Sequence, residues 1–220
     1  MVYNIELLHT SRQNPALVRI LKQLMDEELL KEFRLVGGTN LALKHDHRYS
    51  VNIDRFTDSE YGCVDFNKIR DTISSAFPYF EFPETGPVSF GRSFFAGNAK
   101  DEAVKIDLMY TEKFLDEPEI YGNIRMASDK DIVAMKMEAV NSGPRKKDFW
   151  DLHYLLNSFS LPQMLDIHKK RYPYNHDRAE LLDKFVSFTD VDNEPDPISY
   201  EDTDWTEIKL DLIEEYEKII

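Results

Sequence analysis

The sequence predicts an α+β fold, a mixed sheet flanked by helices with a C-terminal helical part, and three observations carry that prediction. Short runs of β-branched or alternating apolar residues at 33–36, 51–56 and 103–110 read as strands. Around them, apolar residues recur at three- and four-residue spacing, the mark of amphipathic helices. After residue 125 helical spacing takes over, so the strands are assigned to a core over 1–125 and the later helices to a region over 126–220, with an acidic tail over 190–220.

Taking the elements in order, residues 15–32 form a helix whose stripe is Leu17, Ile20, Leu21, Leu24, Met25 and Leu29, opened by Asn14 and Pro15. A strand at 33–36 is followed by Gly37 and Gly38, a short helix opened by Thr39 over 39–43, and a second strand in which Val51, Ile53 and Phe56 are expected on the apolar side. Phe66, Ile69, Ile73 and Phe77 mark a helix over 65–77 that Pro78 stops. Residues 79–95 are aromatic and broken by Pro83, Gly86 and Pro87, so a strand, a turn and another strand are expected. Residues 97–101 turn the chain into the strand at 103–110, where Val104, Ile106 and Leu108 share one face and Lys105, Asp107 and Met109 the other.

Residues 118–125 are expected to be a connection. Ser128 with Asp131 then reads as the cap of a helix over 129–141, with Asp131, Glu138 and Asn141 on its polar face. Further helices are expected over 147–158, 164–170, 177–188 and 205–220, the last two separated by an acidic, proline-bearing linker at 190–204.

Charge and composition narrow the function. The 220 residues are 42% hydrophobic and 12% aromatic, enough for a packed core. The net charge is -14, and 12 acidic against 2 basic residues from Asp190 onward place most of it in the tail. Such a balance argues against wrapping nucleic acid non-specifically, which depends on many phosphate contacts from lysine and arginine. The single Cys63 excludes an internal disulfide and a cysteine-built zinc site, which fits a reducing compartment. No apolar run reaches the roughly 18 residues of a membrane span, and the first residues lack the character of a secretion signal. A cytoplasmic protein without membrane association is the expectation.

The candidate chemistry starts at 33–56. Two successive glycines let the backbone approach a ligand that a β-carbon would repel, and the helix that follows offers free N–H groups to an anion such as phosphate. Asn52 and Asp54 share one face of the next strand, and Asp107 points away from the apolar row of its own. A magnesium ion takes oxygens from one or two carboxylates together with phosphates and water, which Asp54 and Asp107 can provide. Lys136 falls in the middle of its helix's apolar stripe, and Asp148 falls inside the stripe of the next helix, with Asp151 at its edge. Two buried charges require either mutual pairing or a polar cleft. The histidines read more blandly: His45 and His47 in a polar loop fit solvated side chains better than a zinc site, and His153, His168 and His176 stand alone.

The ordered set GGTNLALKHDHRYSVNIDRF, VKIDLMY and DIVAMKMEAV with RKKDFWDLHYLL resembles the AbiEii/AbiGii toxin family of the DNA polymerase β-like nucleotidyltransferase superfamily. The resemblance covers roughly residues 30–160. It implies a polymerase β-like core and a metal-dependent enzyme that moves a nucleoside monophosphate from an NTP to a hydroxyl acceptor. On the matching positions, Asp54, Asp107, Lys136 and Asp148 would be catalytic. Gly37, Gly38, Thr39, Arg48 and Lys136 would hold the nucleotide, and Asn52, Asp54 and Asp107 the Mg²⁺ or Mn²⁺. It also implies a toxin of a toxin–antitoxin or phage-defence pair, with tRNA or another RNA as acceptor and a cognate antitoxin as partner. Asn52 departs from the family pattern, which has aspartate there. An amide oxygen ligates without charge, so a weakened or inactive nucleotide-binding or protein-interaction module is the alternative reading.

Overall fold

The computed structural model describes residues 2–83 and 90–220, so the expected turn residues Gly86 and Pro87 lie outside the described residues. The chain forms two compact units. The first comprises Met1–His45, Ser50–Lys113 and Glu117–Ala127; the second comprises Asp46–Tyr49, Phe114–Asp116 and Ser128–Ile220.

The first unit is a mixed sheet with helices. Its strands are β1 (Val2–Tyr3), β2 (Arg34–Val36), β3 (Asn52–Thr57), β4 (Tyr79–Glu81), β5 (Gly91–Gly97), β6 (Val104–Tyr110), β7 (Glu119–Tyr121) and β8 (Ile124–Met126). Their spatial order is β1-β7-β8-β2-β3-β6-β5-β4. The parallel β3–β6 pair lies near its middle, with Ile53 opposite Ile106 and Asp54 opposite Asp107.

Helix α1 (Pro15–Asp26) and α3 (Phe66–Ala76) cover one face of this sheet, where their leucines and isoleucines join Leu35, Ile53, Phe94, Ile106 and Leu108 in the core. Asn14 caps α1 by accepting from Ala16 N, and Asp65 caps α3 by accepting from Lys68 N. The first helix ends at Asp26 rather than residue 32, and Glu28–Leu30 form a 3₁₀ turn instead.

Three further features of this unit differ from the sequence expectation. Helix α2 (Gly37–His45) begins at Gly37, two residues before Thr39. Val51 precedes the strand and is exposed, and Phe56 shares parity with Asn52 and Asp54, so Ile53, Arg55 and Thr57 form the buried face of β3. Arg55 is fully buried because its guanidinium donates to the carbonyls of Leu24, Leu30 and Phe33 at 2.7, 2.8 and 3.1 Å. Leu24 lies in the last turn of α1, where helix carbonyls lack intrahelical partners, Leu30 ends the following 3₁₀ turn, and Phe33 leads into β2. Burial, with a smaller contribution from Arg125, pulls Arg55 down to about 9, still charged at neutral pH. Finally, the expected connection at 118–125 is the hairpin β7–β8, turned at Gly122, whose φ of +62° is a glycine conformation.

The second unit is helical: α4 (Asp129–Ser142), α5 (Lys146–Leu155), α6 (Leu161–Arg171), α7 (Arg178–Phe185) and α8 (Trp205–Glu217). Ser128 caps α4 as the sequence predicts. Asp131, expected on the polar face, is instead fully buried, because it accepts from Leu115 N at 2.8 Å and from Arg171 at 2.6 Å. The acidic linker packs within this unit. Glu194 accepts from Lys146 N, Asp196 pairs with the Lys146 ammonium at 3.0 Å, and Arg48 bridges to Ser199. Trp205 stacks on Trp150 and donates to Asp192 at 2.7 Å.

Candidate active site

On the face of the first unit's sheet opposite the α1–α3 core, β3 contributes Asn52 and Asp54 and β6 contributes Lys105 and Asp107. Asp54 and Asp107 are register partners on adjacent parallel strands, so both carboxylates leave the sheet on one side at neighbouring positions. Asp107 is largely buried, accepting from the Ser93 hydroxyl on β5 and from Lys105 Nζ at 2.8 and 2.6 Å.

The glycine turn closes on this pair. Gly37 follows directly on Val36, which lies opposite Asp54 in the β2–β3 ladder. Its φ is +68°, and a β-carbon there would sit 2.9 Å from Asp54 Oδ2. The left-handed φ favours glycine, and a β-carbon there would push the Asp54 carboxylate aside. Gly38, Thr39 and Asn40 continue the first turn of α2, whose N–H groups have no intrahelical acceptor. The Thr39 side chain is buried, its hydroxyl bonded to the Ser50 hydroxyl at 2.7 Å and to the Asn52 carbonyl. What Thr39 offers an anion is therefore its backbone, while its side chain ties α2 to the start of β3.

Among the described residues no three His, Cys, Asp or Glu side chains cluster as a metal cage. The paired carboxylates, with the Asn52 amide on the same strand face, nevertheless fit a hard cation that completes its shell from phosphates and water. Lys105 presently occupies the Asp107 oxygens and would have to swing away.

The second unit contains a buried charge cluster. Lys136 on α4 sits 2.6 Å from Asp148 Oδ1 and 2.6 Å from Asp151 Oδ2, both on α5. Arg48 forks onto Asp151, Nε to Oδ1 at 2.7 Å and Nη2 to Oδ2 at 2.8 Å, and His47 Nε2 meets the same Oδ1 at 2.7 Å. All five residues are buried. Burial alone would raise Asp151, but the charges of Arg48 and Lys136 outweigh it and hold the carboxyl well below its usual range. Asp148 is lowered in the same way, burial being overcome by Lys136 and Arg145. Lys136 is raised, since the two carboxylates outweigh the burial that opposes its charge. His47 is lowered, burial prevailing over Asp151, so it is neutral and donates through Nε2.

The structure thus brings Gly37, Gly38, Thr39, Asn52, Asp54 and Asp107 together in the first unit, and Arg48, Lys136 and Asp148 together in the second. Of the two arrangements open for Lys136 and Asp148, mutual pairing is the one found. Asp151, expected at the stripe's edge, is fully buried and accepts from three side chains; its i+3 spacing from Asp148 was the available signal. His47, expected to be solvated, is buried beside it. Asp148 also caps α5, accepting from Arg145 N at 3.1 Å.

Solved structures show which class this fold belongs to. JHP933 from Helicobacter pylori matches at TM-score 0.59 with 19% identity, covering 93% of this chain and 91% of that one. MenT4, a nucleotidyltransferase toxin from Mycobacterium tuberculosis, matches at TM-score 0.58 with 12% identity over 91% of this chain and 82% of that one. The fold is that of the nucleotidyltransferase toxins. The chain belongs to the family described as nucleotidyl transferase AbiEii toxin, type IV toxin–antitoxin system, which matches over residues 19–218. An uncharacterised protein of Aquifex aeolicus is 29% identical over 202 residues, 86% of this chain and 88% of that protein. No helix among the described residues is long and apolar enough to cross a membrane.

Proposed function

We propose that this protein is a metal-dependent nucleotidyltransferase that moves a nucleoside monophosphate from an NTP to a hydroxyl group of an RNA acceptor such as tRNA. The observation that carries the proposal is the register pairing of Asp54 with Asp107 beside a left-handed glycine turn whose Cβ position abuts the Asp54 carboxylate. The acceptor oxygen attacks the α-phosphorus, the bond from that phosphorus to the bridging oxygen of the β-phosphate breaks, and pyrophosphate leaves. Asp107 takes the acceptor's proton. Asp54, Asp107 and the Asn52 amide hold Mg²⁺ or Mn²⁺, which when bound neutralises charge on the phosphate oxygens. The Gly37–Gly38–Thr39 backbone receives the terminal phosphates.

The family resemblance gives Arg48, Lys136 and Asp148 nucleotide roles as well, in which the two cations would offset phosphate charge once released from the carboxylates that hold them in the buried cluster. In the cell the protein would be the toxin of a cytoplasmic pair silenced by a cognate antitoxin and used against phage.

A second reading has its own support. With Asn52 neutral and Lys105 on Asp107 at 2.6 Å, the site carries less net negative charge for a cation than two free carboxylates would. A nucleotide-binding module without turnover follows from that balance.

Incubation of the purified protein with each labelled NTP, Mg²⁺ or Mn²⁺ and bulk tRNA decides between them. Label transfer by the native protein that disappears in Asp54→Ala supports the enzyme. No transfer by native protein, with transfer appearing in Asn52→Asp, identifies a site weakened by its missing carboxylate. NTP binding without transfer in either protein supports the binding module.

A further inference from the structure

Outside both clusters, α6 and the turn before α7 bring two histidines into direct contact. His168 Nδ1 lies 3.0 Å from His176 Nδ1, and the rings are inclined by 40°. Across the first ring, His168 Nε2 is 2.9 Å from Glu138 Oε2 on α4. A carboxylate accepts, so that nitrogen carries the proton and the neutral ring turns a bare lone pair toward His176.

The carboxylate is itself held. Asn175 Nδ2 donates to Glu138 Oε1 at 3.3 Å, as does the Ser142 hydroxyl at 3.2 Å. The His168 side chain is wholly buried and its ring packs on Tyr172 at 5.1 Å between centroids. His176 is half-buried and opens onto a cavity of about 620 Å³ lined by Glu138, Asn141, Asn175, Asp177 and Glu180.

We propose that His168 and His176 form a two-nitrogen seat for a divalent transition-metal ion such as Zn²⁺ or Co²⁺. Two converging imidazole nitrogens need either a shared proton or a shared cation between them. Zinc–nitrogen bonds of about 2.0–2.1 Å at a tetrahedral angle separate two ligand nitrogens by ~3.3 Å, a few tenths more than the distance found. His176 makes room for the ion by carrying its proton on Nε2 instead of Nδ1, so no proton is lost. Glu138 orients His168 as a carboxylate orients metal-bound imidazoles generally. The remaining coordination positions open into the cavity, where water or an oxygen ligand completes them. Burial lowers both histidines, on His168 against Glu138, so both rings are neutral and able to ligate at pH 7. Imidazole nitrogens select such metals over Mg²⁺, which separates this seat from the carboxylates of the sheet.

Titration of the metal-free full chain with Co²⁺ alone, followed by the visible absorption of the ion and its displacement by Zn²⁺, tests the seat. The expected result is one nitrogen-ligated Co²⁺ per chain. His176→Ala, at a half-buried position, should weaken it at least tenfold, and Glu138→Gln by about tenfold or more. Asp54→Ala should leave it unchanged. The proposal is overturned if the native chain takes up no stoichiometric Co²⁺, if His176→Ala binds as the native chain does, or if Asp54→Ala removes the signal.

Discussion

Lys136 is the residue whose environment most changes what its substitution should do. Its side chain is 6% exposed between two carboxylates that are themselves at 1% and 0%. Removing one partner of such a buried pair leaves uncompensated charge and costs about 3–5 kcal/mol. Lys136→Ala is therefore expected to lower the melting temperature sharply, measured by thermal unfolding, alongside any effect on transfer. A variant that melts like the native protein would show that the carboxylates find water or another cation.

The same residues set the acid limit of stability. The folded pKa values of Asp148 and Asp151 lie below their unfolded ones, so their contribution is complete above pH ~4 and fades as pH falls through the folded values. His47 is also lowered, so below pH ~6.5 the unfolded chain binds a proton that the folded one refuses. Both signs agree: stability should decline below pH ~6.5 and fall steeply below pH ~4. Urea midpoints measured across pH 3–8 check it, and a flat profile would contradict the cluster as described.

At the scale of elements, the β2–α2 corner shows how tightly the candidate site is built. Gly37→Ala forces an L side chain into φ +68° and against Asp54 Oδ2, which costs about 1–2 kcal/mol in backbone strain and displaces the carboxylate. Transfer activity, if present, should fall far more than stability does, and comparing label transfer with the melting curve separates the two. Most elements were legible because their signals are local. Asn14, Asp65, Ser128, Asp177 and Asp204 all cap the helices that follow them.

What escaped the sequence depended on distant partners. The β7–β8 hairpin is two three-residue strands, too short for alternation to register. Arg55 lies on the apolar side of β3 because carbonyls from α1 and the following turn reach it, which no period can announce. Asp54 and Asp107 were readable as candidates from strand parity, but their shared register appears only once β3 and β6 are paired. His168 and His176 are eight residues apart across a turn at Pro173, and Asp131 is buried through Arg171, forty residues on.

For the whole molecule, the acidic segment after residue 189 is part of the second unit's packing. Ile208 and Leu212 are fully buried, Trp205 stacks on Trp150, and Tyr49 N and Tyr200 N exchange backbone hydrogen bonds with Ile198 and His47. A chain ending at residue 189 should lose cooperative unfolding of that unit and become sensitive to brief proteolysis. Equal protease resistance in the shortened chain would make the segment a loosely attached tail. The antiparallel bridge between Arg48 and Ser199 joins positions about 150 residues apart. On the ribosome, a strip emitted early must wait for its partner until nearly all of the polypeptide has been made. The backbone pairing that holds the segment around Arg48 is thus completed only near the end of synthesis, well after Asp151, the last member of the charge cluster, has been made.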